Sequence, residues 1–216
     1  MATNIERAIA FLREQFDQSE YLAARPEGKK YRLEHTMRIA NIGKEIAQGE
    51  NLDEEALVLG CLLHDLSYTE TWDGEDGWLN HGRLAAKMAR PFLETLDLSP
   101  EQVDEICYGI AIHVDDQADF PGERSPLALS IGDADNIDRF DVYRIHEQLS
   151  QASFLTLPYG EQLDRTSGYL AKLEKYKELA FATKTATKLW RDRIDFQIQF
   201  FTKLKTAEEV LEVTGA

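Results

Sequence analysis

Apolar residues recur along most of this chain at the spacing of a helix. Ile5, Ala8, Ile9, Leu12 and Phe16 mark one helical face near the start. After a break at Ala23 to Gly28 around Pro26, Leu33, Met37, Ile39, Ile42 and Ile46 predict a second helix from Lys29 to Gln48. Asp53 is suited to cap a third, Glu54 to about Asp65. Ser67 to Trp78 is rich in Asp, Gly and Thr and reads as a loop. Asn80 is suited to cap a fourth helix, His81 to Leu96, kinked near Pro91. Ser99-Pro100-Glu101 opens a helix to about His113, and Ser125-Pro126 repeats that cap signal beyond a polar loop, Asp115 to Ser125. Two or three long helices follow, to about Val213. No segment alternates with period two for long enough to predict a strand. The expectation is a single all-α domain over 1–216, a helical bundle with its C-terminal helices 139–213 packed on the rest.

Composition narrows the partners. The chain has 43% apolar and 29% charged residues, ordinary for a globular protein. Its formal charge of −15 is not ordinary. Such a surface repels a long nucleic acid, while a small anion stays open as a partner where a local basic patch or a metal receives it. The longest apolar stretch, ALVLGCLL, is far too short to span a bilayer, and the N-terminus carries acids rather than a secretory signal. With Cys61 and Cys107 set in apolar runs, a cytoplasmic location is expected.

The chemistry concentrates at His64-Asp65, which ends a helix apolar nearly all round. Such a pair costs several kcal/mol to bury unless paired or bound to a metal. His35 lies in a helix with an apolar face, His81 opens one, and His113 ends the apolar run ICYGIAIH. Imidazole and carboxylate together suit Fe, Mn, Co, Ni or Zn, with Mg as a further candidate. The run Asp133-Ala134-Asp135-Asn136-Ile137-Asp138 is not an EF-hand: its sixth position is Asp138 rather than Gly and its twelfth is Arg144 rather than Glu. In a helix Asp135 and Asp138 share a face, and one of the acids can turn inward. His146 lies outside this set, and the stripe Trp190, Ile194, Ile198, Phe201 reads as packing. Walker A, G-x-S-x-G, G-x-G-x-x-G and H-E-x-x-H motifs are absent.

The ordered set His35, His64-Asp65, Asp135, in the contexts EHTMRIA, LLHDLS and DADNIDRF, resembles the H…HD…D signature of the HD-domain superfamily of metal-dependent phosphohydrolases. His81 and His113 resemble the two added histidines of members that hold two metals. The resemblance implies that His35, His64, Asp65 and Asp135 bind a first divalent transition metal ion. It further implies that His81 and His113 bind a second, with Asp65 bridging, and that His64 and Asp65 anchor catalysis by a metal-activated hydroxide. The implied substrate is a small phosphorylated molecule, a nucleotide foremost. Arg38, Arg83, Lys87 and Arg139 are the candidate phosphate binders. Many members continue the dipeptide as His-Asp-Ile-Gly-Lys, whereas Leu66-Ser67-Tyr68 follows here, which argues against the cyclic-dinucleotide phosphodiesterases. Two alternatives stand beside the hydrolase: a di-iron HD-domain oxygenase similar to myo-inositol oxygenase, and a non-catalytic regulatory module stabilised by its metal. The sequence carries no signal for oligomeric state.

Overall fold

Every regular element among the described residues of this computed structural model, 2–71, 74–151 and 153–214, is helical, and none is a strand. In chain order they are α1 (Asn4–Gln18), α2 (Glu20–Ala23), α3 (Pro26–Glu50), α4 (Glu54–Leu63), α5 (Gly74–Leu93), α6 (Pro100–Ile112), α7 (Pro126–Asp138), α8 (Val142–Gln151), α9 (Tyr159–Lys177) and α10 (Lys184–Thr214). Single 3-10 turns lie at Leu66–Thr69 and Phe154–Thr156. The chain divides into two compact units, Met1–Asp138 with Ala182–Ala186, and Arg139–Phe181 with Thr187–Ala216.

Helix α4 organises the first unit. All eight residues from Ala56 to Leu63 are buried, because α1, α3, α6 and α7 all pack on it. A helix wrapped on all sides has no polar face to spare. Glycines allow the closest approaches. A Cβ on Gly43 of α3 would sit 2.5 Å from Cys61 Sγ, and one on Gly109 of α6 would lie 2.8 Å from the Ala128 carbonyl of α7. Helix starts carry side-chain caps: Thr3 with Glu6, Asp53 on Ala56, and Ser99 with Gln102. Both cysteines are free and buried.

Two helix starts differ from the sequence expectation. Pro26 occupies the first position of α3, where its missing N–H costs nothing, so the break before it is short. Helix α5 opens at Gly74 rather than His81. Most of the expected loop is therefore the 3-10 turn and the first turns of α5, while Trp72 and Asp73 lie outside the described residues. The weak helix propensity of Gly74 and Gly77 is outweighed by the packing of the helix they begin, which buries His81, Gly82, Ala85, Ala86, Ala89 and Leu93. Asn80 is interior to α5 and caps nothing; its side-chain oxygen accepts from Arg83 Nε at 2.8 Å.

The second unit has its own core. Trp190, Ile194 and Phe201 of α10 are buried. Trp190 donates through Nε1 to the Tyr176 carbonyl at 2.7 Å and meets Phe140 edge to face. His146 is exposed on α8.

Candidate metal centre

Five elements of the first unit deliver side chains to one cluster. His35 comes from the middle of α3, His64 from the C-cap of α4 and Asp65 from the residue after it. His81 lies inside α5, His113 at the C-cap of α6, and Asp135 in the last turn of α7. His35, His64, Asp65, His81 and Asp135 are each at most 3% exposed.

Asp65 sits at the centre and shows its two oxygens to different partners. Oδ2 lies 3.5 Å from His64 Nε2 and 3.6 Å from His35 Nε2. Oδ1 lies 3.5 Å from His81 Nε2 and 3.9 Å from His113 Nε2. Asp135 Oδ1 is 3.2 Å from His35 Nε2. Donor atoms of His35, His64 and Asp135 fall within 4.8 Å of one another, and so do those of His64, Asp65 and His113.

Each ring is oriented by its other nitrogen. Nδ1 of His64, His81 and His113 meets the carbonyl three residues back, at Cys61, Trp78 and Ile110, at 2.8, 2.5 and 2.7 Å. A carbonyl can only accept, so Nδ1 carries the proton and Nε2 faces the cluster with a lone pair. His35 differs in its partner: Nδ1 donates to Asp138 Oδ2 at 2.8 Å.

Two observations test whether the residues fit a cation. His64 Nε2 is buried without a hydrogen-bond partner, a loss of ~1–3 kcal/mol for an unsatisfied group. Nε2 of His81 and of His113 lie only 3.2 Å apart, two lone-pair nitrogens that a shared cation would reconcile. The donor set, neutral imidazoles with carboxylates, fits divalent transition metals.

Electrostatics set the charge of each group. Burial and the neighbouring His64 lower His113 to about 4, and burial also lowers His64, so both rings stay neutral. Burial would lower His35 as well, but hydrogen bonds to Asp135 and Asp138 outweigh it and raise it to about 9. Burial would raise Asp65, yet His64, His81 and Arg32 hold it well below the usual carboxylate range.

The three acids of the α7 run have separate partners. Asp135 faces His35 Nε2. Asp133 accepts from the Ala182 backbone N–H at 2.9 Å, and burial raises it to about 6. Asp138, fully buried, receives His35 on one side and the fork of Arg38 on the other, at 2.7 and 3.1 Å. Carboxylates behind a ligating imidazole fix its ring and strengthen it as a base. Asp138→Asn is therefore expected to weaken metal binding by about 10- to 100-fold. Metal titration followed by calorimetry checks this, and wild-type affinity in the variant would remove Asp138 from the site.

Two of the four candidate phosphate cations have carboxylate partners. Arg38 is committed to Asp138. Arg83 is turned to Asp115, at 2.9 and 3.0 Å, and to Asn80. Lys87 is exposed, roughly 120° around α5 from His81 at 100° per residue. Arg139 belongs to the second unit. A cation that sequence reasoning passed over stands closer. Arg32 donates through Nη1 to Asp65 Oδ2 at 2.6 Å, with its guanidinium 3.3 Å from the centre of the Tyr68 ring. Its position three residues before His35, on the same helical face, was the available signal.

The HD domain family matches residues 32–140, half of the chain, and the chain belongs to this superfamily of metal-dependent phosphohydrolases. A solved structure shares the fold. The crystal structure of a predicted HD superfamily hydrolase from an uncultured Thermotogales bacterium superposes with a TM-score of 0.66 at 21% identity, over 95% of this chain and 93% of that one. At that identity the likeness shows the fold alone. No curated protein matches the sequence. No helix among the described residues is long and apolar enough to cross a membrane.

Proposed function

We propose that this protein hydrolyses a small phosphate ester, a nucleotide foremost, at a centre of two divalent cations. His35, His64, Asp65 and Asp135 hold the first, and His81, His113 and the other oxygen of Asp65 hold the second. The observation that carries this reading is the division of Asp65 between two histidine pairs, Oδ2 toward His35 and His64 and Oδ1 toward His81 and His113. Cations held by these residues would supply Lewis acidity, lowering the pKa of water toward ~7 and offsetting charge on phosphoryl oxygens.

The chain's own groups do the rest. Asp138 fixes His35, the i−3 carbonyls fix the other three rings, and Arg32 holds Asp65 by a charge-assisted hydrogen bond. Burial of the ligands keeps bulk water away from the donor atoms and strengthens each electrostatic contact.

The test is metal content beside a substrate screen. Protein purified without oxygen is expected to bind two equivalents of a divalent transition metal and to release phosphate from small esters. Saturation at a hundred times Kd should add about 2.7 kcal/mol of stability for each site, lost again on chelation. One equivalent at saturation would sink the two-cation reading. Dioxygen consumption with iron, without phosphate release, would sink the hydrolase reading and leave the oxygenase.

A further inference from the structure

The phosphohydrolase reading leaves open what part of a substrate lies beyond its phosphate, and the rim of the site bears on that question. Three rings and one guanidinium follow one another beside the ligands. Tyr31 lies parallel to His35, one helical turn on, at 5.8 Å between centroids and 8°. Arg32 lies 5.4 Å from the Tyr31 ring centre and 3.3 Å from that of Tyr68. Tyr68 meets His81 edge to face at 5.3 Å. Trp78, one turn before His81, lies 6.2 Å from it.

These rings are not core residues. Trp78 is 45% exposed, whereas Trp190 in the second unit is 2% exposed. Tyr31 and Tyr68 are half-buried. An indole left in water beside a buried donor set forgoes the burial that would otherwise stabilise it. A planar ligand restores that burial, because base–aromatic stacking needs only a π-face. The chemistry is selective as well. Arg32 is bound to Asp65, which puts the metal ligands at one end of this series, so the phosphate belongs at that end of the rim and a neutral flat group belongs at Trp78. Backbone geometry ties Trp78 to the ligands, since its carbonyl accepts from His81 Nδ1.

Resting on the reading of the site as a phosphohydrolase centre, we infer that the substrate carries a planar aromatic ring beside its phosphate, and that Trp78 stacks on that ring and sets the preference for it. A nucleobase and a simple aryl group share this chemistry.

The test uses the metal-loaded full chain and four esters: a nucleoside monophosphate, phenyl phosphate, ribose 5-phosphate and glycerol phosphate. The wild type is expected to favour the ring-bearing esters by about tenfold or more in kcat/KM. Trp78→Ala should cut that ratio about tenfold, mainly through KM, and Trp78→Phe should retain most of it. Two metal equivalents in Trp78→Ala would show that the His81 side is intact, since the Trp78 carbonyl remains. A gain shared by phenyl phosphate assigns the preference to the flat face. A gain confined to the nucleotide assigns it to a nucleobase in particular. Both uphold the stacking role if Trp78→Ala removes the gain. Equal kcat/KM for ringed and ringless esters in the wild type, or a ratio unmoved by Trp78→Ala, overturns the inference. If no ester is hydrolysed, the phosphohydrolase reading fails separately, and calorimetry with the same four compounds decides. Tighter binding of the ringed compounds, lost in Trp78→Ala, upholds the stacking role; equal binding overturns it.

Discussion

Replacing Asp65 with alanine is expected to lower turnover by about a thousandfold or more, equivalent to roughly 4 kcal/mol of transition-state stabilisation, and to bring metal content below one equivalent. Its two oxygens face both halves of the cluster, 3.5–3.6 Å from His64 and His35 on one side and 3.5–3.9 Å from His81 and His113 on the other. The variant also strands Arg32, whose hydrogen bond ends on Asp65, beside a cluster that has lost a negative charge. Asp65→Asn keeps the shape and loses that charge, so its affinity should fall while the fold stays. Elemental analysis and steady-state kinetics on the two variants check this. Wild-type turnover by Asp65→Ala would mean that the reaction happens elsewhere.

Gly82→Ala is expected to damage the site from outside it. A Cβ at this position would lie 2.7 Å from the Ala111 carbonyl, 3.0 Å from the Ile110 carbonyl and 3.0 Å from His113 Nδ1. Two of these neighbours are backbone, so α5 and α6 must separate, and the third is the atom that orients His113 through Ile110. Overpacking of this kind costs ~1–3 kcal/mol, and a shift of about 1 Å at reacting groups can cost on the order of 100-fold in rate. The expected pattern is a modest fall in urea stability with a hundredfold fall in turnover. The second metal equivalent should be lost while the first is kept. Loss of stability alone, with turnover and both equivalents kept, would show that α5 can move without moving His81.

The parts of the fold that were legible in the sequence are those where one local signal decides. Asp53 and Ser99 cap the helices they were expected to cap, and the apolar stretch of α4 from Ala56 to Leu63 is buried. The start of α5 was not legible, because Gly74 and Gly77 argue locally for a loop and only packing further along α5 overrules them. Within the site, six residues spread over a hundred positions come together, and their order in the chain pointed to them. The division of labour among Asp133, Asp135 and Asp138 could not be read from sequence: on one helix their directions follow from spacing, but which of them meets His35 Nε2 depends on how α7 packs on α3. Arg38 shows the same limit. Its place one turn from His35 suggested a substrate contact, whereas its partner is Asp138, a hundred residues away.

The i−3 hydrogen bonds of His64, His81 and His113 also bear on how fast a cation can load. Each ring is held by a carbonyl of its own turn, so its rotamer is settled when its helix forms and does not wait for the ion. Freezing a mobile side chain costs ~0.5–1.5 kcal/mol on binding; three of the four imidazoles have already lost that freedom. Loading is then limited by passage to the cluster rather than by rearrangement of ligands, and the observed rate should rise linearly with metal concentration, without the plateau that a slow ordering step would impose.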